Sequence, residues 1–146
     1  MRKGLIEINQ IEGVHGSFVV DDAGAVIEAD PPLELTAEDM DTIGRRAVQV
    51  FLGLETWSSP AHELDFQYLE SRLIVRELDP GVLIMVCDPG VDTSLLRLNV
   101  NVVLNRWRED KKVQKRFRGG GSREDVELPD LAAEDSAPEG EDLFFS

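Results

Sequence analysis

The stretch "GVHGSFVVDDAGAVIEA", Gly13 to Ala29, decides how the chain is read. Glycines flank a histidine, an apolar run follows, and two aspartates lead to another glycine. A phosphate loop would need its glycines after a strand and a closing Gly-Lys-Ser/Thr. Here Gly13 and Gly16 precede the apolar run and no lysine follows. A calcium loop would need alternating oxygen ligands closed by a bidentate glutamate, of which Asp21-Asp22 supplies a fragment. His15 could act as base or ligand, but the other histidine, His62, lies far along the chain. The residues instead spell a helix stop at Gly13, a strand over Ser17–Val20, a turn at "DDAG", and a returning strand over Ala25–Ala29. Aspartates in such turns accept bonds from nearby backbone amides, and Gly24 can take positive φ without steric cost. The stretch is a hairpin.

Working outward, Leu5, Ile8 and Ile11 recur at three-residue steps and predict a short helix over Leu5–Glu12. Pro31-Pro32 breaks the returning strand. "TAEDMDTIGRRAVQVFLGLE" predicts a helix over Ala37–Glu55. Thr36 caps it, Asp39 answers three residues on, and Met40, Ile43, Ala47, Val50, Phe51 and Leu54 share a face. After "WSSPA", read as a loop, "HELDFQYLE" alternates as a half-buried strand with Leu64, Phe66 and Tyr68 on one side. "SRLIVREL" is a further strand and "DPG" a tight turn. "VLIMVC" (82–87) is apolar on both faces, which places it mid-sheet. Asp92 is expected to cap a last helix running through Trp107 to Phe117, with Leu95, Leu96, Val100 and Val103 in a broad apolar band. The elements read α-β-β-α-β-β-β-α, an α+β fold with a five-stranded, mostly antiparallel sheet.

Composition bounds the function. The chain has 146 residues, 42% of them hydrophobic, and a net charge of −14. No apolar run approaches the roughly 18 residues of a membrane span, and the opening "MRKGLIEINQ", polar after two bases, is not expected to act as a signal peptide. One cysteine, Cys87, excludes an internal disulfide, and a reducing cytoplasm is the expected setting. An acidic body disfavours nucleic acid, whose binding rests on neutralising phosphates. Arg106–Arg118 carries seven bases against two acids, and 119–146 carries nine acids against one base. A domain over 1–118 and a disordered acidic tail over 119–146 are therefore expected.

The same hairpin resembles the opening of the Roadblock (dynein light-chain/Roadblock) family, in which a helix passes through Gly-Val-x-Gly into a strand and an Asp-x-x-Gly-type turn. The likeness continues through "IGRRAVQVF", "RLIVRELDPGVLIMVCDP" and "VDTSLLRLNVNVV", covering roughly residues 4–117. It implies a Roadblock/profilin-like fold and a homodimer that binds a small Ras-like GTPase, as a GAP-like regulator or co-regulator of its nucleotide cycle. An adaptor dimer without effect on turnover is the alternative. The resemblance also implies that second helices and the following strands pair across a two-fold axis into one continuous sheet. That carries over to Ile43, Gly44, Ala47, Val50, Phe51, Leu64, Phe66 and Tyr68. Small Gly44 and Ala47 would let a symmetric helix approach.

Arg45 and Arg46 are candidates for partner contact. An arginine supplied in trans can accelerate GTP hydrolysis by about 10³–10⁵, but pairing of Arg45 with Asp41 four residues away is the ordinary alternative. Arg72 and Arg76 share a strand face and are expected in cross-strand ion pairs. Leu143, Phe144 and Phe145, after an acidic run, form a candidate docking peptide. No catalytic residue, cofactor or metal is expected, because no histidine–nucleophile pair, ligand cluster or phosphate loop occurs in the sequence. Nucleotide and Mg²⁺ would belong to the partner.

Overall fold

The computed structural model describes residues 1–56, 62–78 and 80–120. The order is α1 (Arg2–Asn9), β1 (Val14–Val20), β2 (Val26–Asp30), α2 (Ala37–Thr56), β3 (Glu63–Tyr68), β4 (Ser71–Glu77), β5 (Val82–Cys87), α3 (Thr93–Glu109) and α4 (Lys111–Gly120). All pairings are antiparallel and the sheet runs β2-β1-β5-β4-β3. The "WSSPA" loop lies outside the described residues; of the expected tail, 119–120 close α4 and 121–146 lie outside them.

β5 sits in the middle, as its two-sided apolar sequence requires. Successive strand residues point to opposite faces. Val82, Ile84 and Val86 join the core beneath α2, with Phe18, Val20, Leu73, Val75, Ile43, Ala47 and Phe51. Leu83, Met85 and Cys87 join the opposite core beneath α1, α3 and α4, with Leu5, Ile8, Leu96, Val100, Val103 and Trp107. Burying one such Leu or Ile contributes about 1.5–3 kcal/mol. The result is a three-layer sandwich with one helix on one face and three on the other.

Local chemistry sets the boundaries. Thr36 Oγ1 accepts from Asp39 N at 3.0 Å, and Asp39 Oδ2 accepts from Thr36 N at 3.1 Å, a reciprocal capping box. Asp92 Oδ1 accepts from Leu95 N at 3.0 Å and starts α3. In the first hairpin, Asp21 is buried, and its Oδ1 accepts from Ala23 N at 2.9 Å and Ala25 N at 3.0 Å. Gly24 stands at φ 90°, the positive-φ position expected of that turn.

Two expectations shift. The first helix spans Arg2–Asn9 rather than 5–12, because the chain turns through Gln10–Gly13 to enter a longer β1; Gly13 takes φ 96°. The last helix is two helices. Asp110 is extended (φ −93°, ψ 111°), and its Oδ1 accepts from Lys112 N at 2.9 Å. An aspartate competes well for such a cap, so it ends α3 and begins α4. The bend returns Val113 and Phe117 to the core.

Gly44 shows how closely α2 lies on the sheet. A Cβ there would stand 2.7 Å from Val20 Cγ1 and 3.0 Å from Gly24 O. Gly44→Ala is expected to lower unfolding free energy by about 1–3 kcal/mol through overpacking, measured by chemical denaturation, while the folded fraction keeps its oligomeric state.

Candidate partner-binding surface

The two edges of the sheet differ. Arg2 Nη1 donates to Ala29 O at 2.9 Å, Arg116 donates to Ile27 O, and the same guanidinia pair with Glu28 and Asp30. Two outward carbonyls of β2 are thus already bonded, so that edge is closed to a further strand. At the other edge, β3 pairs with β4 on one side alone, and among the described residues no side chain bonds to a β3 backbone group. Its polar flank is fixed instead by side-chain pairs. Arg72 grips Asp65 across β3–β4 at 2.9 and 2.6 Å, and Arg97 Nη2 holds Glu63 at 3.0 Å. Sequence reading anticipated a cross-strand ion pair for Arg72, and Asp65 supplies it. Arg76 instead donates to Asn101 Oδ1 at 2.5 Å.

The residues expected at a two-fold seam fall into three sets. Ile43, Gly44, Ala47 and Phe51 are buried inside the protomer, against its own sheet. Gly44 has no room for a side chain because α2 lies on Val20 and Gly24 there, and Ala47 is buried in the same core. Leu64 and Tyr68 pack partly on the same core. Val50 and Phe66 stay open, 46% and 39% exposed. Phe66 lies opposite Leu73 in the register, on the α2 side of the sheet.

Arg45 Nη2 donates to Asp41 Oδ2 at 2.6 Å, one helical turn away. Among the described residues Arg46 has no carboxylate partner, and four-residue spacing puts it on the Val50 flank of α2. Leu143, Phe144 and Phe145 lie outside the described residues.

The histidines do not assemble a site together. His15 Nε2 lies 2.6 Å from Asp88 Oδ1, and His62 Nδ1 lies 3.2 Å from Glu77 Oε1. Among the described residues no group of three His, Cys, Asp or Glu side chains could hold a metal ion, and no helix is long and apolar enough to cross a membrane. A cavity of about 200 Å³ lies between α2 and the β4–β5 turn, lined by Asp22, Val48, Phe51, Glu77, Gly81 and Val82 among others. It brings together no reactive pair.

Charge pairing sets the titration. The hydrogen bond from Arg72 lowers the Asp65 carboxyl below the usual range, and that from Arg106 does the same for Glu7. Burial works to raise Glu28, but Arg116 and Arg2 pull it below its ordinary value. Burial lowers Arg76. Desolvation pushes the Cys87 thiol up to about 12, so it is no nucleophile near neutrality.

The arginine edge clamps escaped the sequence reading, since residues 2 and 116 meet β2 only through the fold. Neither stands out in the sequence: Arg2 has Lys3 beside it, and Arg116 is one of seven bases between Arg106 and Arg118.

Against known proteins, the architecture matches solved Roadblock/LC7 domains. The Roadblock/LC7 domain from Streptomyces avermitilis superposes with a TM-score of 0.64 at 11% identity, over 75% of this chain and 95% of that one. The gliding protein MglB from Thermus thermophilus gives 0.61 at 14% identity, over 80% and 87%. This chain therefore has the Roadblock/LC7 fold. No family model matches it. It is 31% identical over 104 residues to the uncharacterized protein MJ0714 of Methanocaldococcus jannaschii, spanning 66% of this chain and 83% of that protein. It belongs to the same family as MJ0714.

Removing both clamps in Arg2→Ala/Arg116→Ala is expected to bare the β2 edge. Light scattering should then show concentration-dependent species larger than those of the unaltered protein. For Cys87, folding favours the protonated thiol. Its stabilising contribution is complete below the ordinary thiol range and is lost as pH rises from about 9 toward about 12. Thiol alkylation followed by mass spectrometry at pH 8 should leave Cys87 unlabelled until denaturant is added.

Proposed function

We propose that two copies of this chain join along β3 and the Val50 flank of α2, and that the paired platform binds a small Ras-like GTPase and modulates its nucleotide cycle. The observation that carries this reading is the unequal treatment of the sheet edges. β2 is sealed by two arginines, whereas among the described residues nothing pairs with the outer backbone groups of β3, beside exposed Phe66. Natural sheets seldom leave such an edge bare unless something pairs with it. A two-fold contact uses one patch twice, so strand β3 meets its own copy and the sheet becomes continuous. The Roadblock/LC7 fold and the family resemblance of the opening hairpin support a GTPase as the partner.

The platform acts without chemistry of its own. By binding one conformation of the GTPase switch regions better than the other, it shifts their population by the difference in affinity. Arg46, without a carboxylate partner among the described residues and on the same flank as Val50, is the arginine offered for contact; Arg45 is engaged by Asp41. Nucleotide and Mg²⁺ stay with the partner, in a cytoplasmic setting.

In sedimentation, the unaltered chain is expected to run as a dimer at micromolar concentration, and Phe66→Glu to weaken pairing at least tenfold without unfolding. Mixed with a candidate Ras-like GTPase, the unaltered chain should change the rate of GTP hydrolysis or exchange and Phe66→Glu should not. The chain with GTP alone should do nothing. Capture of the GTPase without a change in turnover would move the reading to a scaffold dimer, and a folded monomer would overturn the platform.

A further inference from the structure

α3 is apolar on two opposite sides. Leu96, Val100, Val103, Leu104 and Trp107 face the core. Leu95, Leu98 and Val102, spaced i, i+3, i+7, form a second stripe on the outer side, exposed by 45%, 66% and 54%. A helix apolar all round is normally covered on both sides. Sequence reading had folded Leu95 into the core band and passed over Leu98 and Val102.

The charge around the stripe is one-sided. From Thr93 to Arg108, α3 carries three arginines and no carboxylate. Arg97 and Arg106 are committed to Glu63 and Glu7. Arg108 donates to Asn105. Among the described residues Arg108, Lys111, Lys112 and Lys115 have no carboxylate partner. Cations therefore outnumber Glu109 and Asp110 where α3 turns into α4, at one end of an apolar stripe.

We infer that this stripe receives the segment Glu139–Ser146, "EGEDLFFS", of the same chain. Its order is complementary. Leaving α4, the chain carries Glu134, Asp135, Glu139, Glu141 and Asp142 before Leu143, Phe144 and Phe145. The acids thus meet the cations at the α3–α4 turn, and the apolar triplet lies on Leu95, Leu98 and Val102. The linker is long enough. The 22 residues 121–142 reach about 75 Å when extended, whereas α3 itself rises about 26 Å. Size also selects this occupant over a second copy. A stable interface between folded proteins uses about 20–30 residues a side, far more than three side chains. A tethered peptide needs much less, because its effective concentration is in the millimolar range. The inference is independent of the dimer and of the GTPase.

The test uses the full chain with p-benzoylphenylalanine in place of Phe144, irradiated as a mixture of ¹⁵N-labelled and unlabelled protein, with adducts mapped by mass spectrometry. Adducts within single chains, on peptides containing Leu95, Leu98 or Val102, are expected. Adding Leu98→Asp should cut their yield at least tenfold while the circular dichroism spectrum is unchanged. Leu33→Asp, at a fully exposed site elsewhere, should leave the yield unchanged. Adducts between labelled and unlabelled chains, adducts scattered over other surfaces, or a yield indifferent to Leu98→Asp would each overturn the assignment.

Discussion

The fold rests on one constraint: β5 is apolar on both faces, and both must be removed from water. Val82, Ile84 and Val86 need cover on one side; Leu83, Met85 and Cys87 need it on the other. A strand in that position cannot be an edge, so β1 and β4 flank it. A sheet so built cannot leave a face bare, so α2 takes one side and α1, α3 and α4 take the other. The crossover through α2, between β2 and β3, is how the chain passes from one half of the sheet to the other.

That requirement also decides how the residues of α2 are used. A 20-residue helix can present one stripe to its own sheet and leave its flanks to others. Ile43, Gly44, Ala47 and Phe51 serve the protomer. Val50 and Arg46 lie to one side of that stripe, and Asp41 and Arg45 pair with each other outside it. Family resemblance pointed to this helix as a pairing element but could not divide its faces, since the same apolar residues suit either a sheet or a twin helix. Only the packing of Gly44 on Val20 separates the two.

Much of the architecture was legible because it is written in local chemistry. The capping box at Thr36, the cap at Asp92, the turn at Asp21–Gly24 and the two-sided apolarity of "VLIMVC" each name their structure in a few residues. Errors arose where a distant partner decides. Asp110 reads as an ordinary helix residue until Val113 and Phe117 are seen to need a bend to reach the core. Leu95 reads as core because a helix with two apolar stripes has no single face for periodicity to find. Arg2 and Arg116 carry no pattern at all; their role exists only once β2 lies between them.

The clamp on β2 joins residues from opposite ends of the domain. During synthesis the chain emerges amino end first. Arg2 is therefore available when β2 leaves the ribosome, whereas Arg116 arrives only after nearly ninety further residues have followed it. Until then the outer edge of β2 has only the amino-terminal half of its clamp.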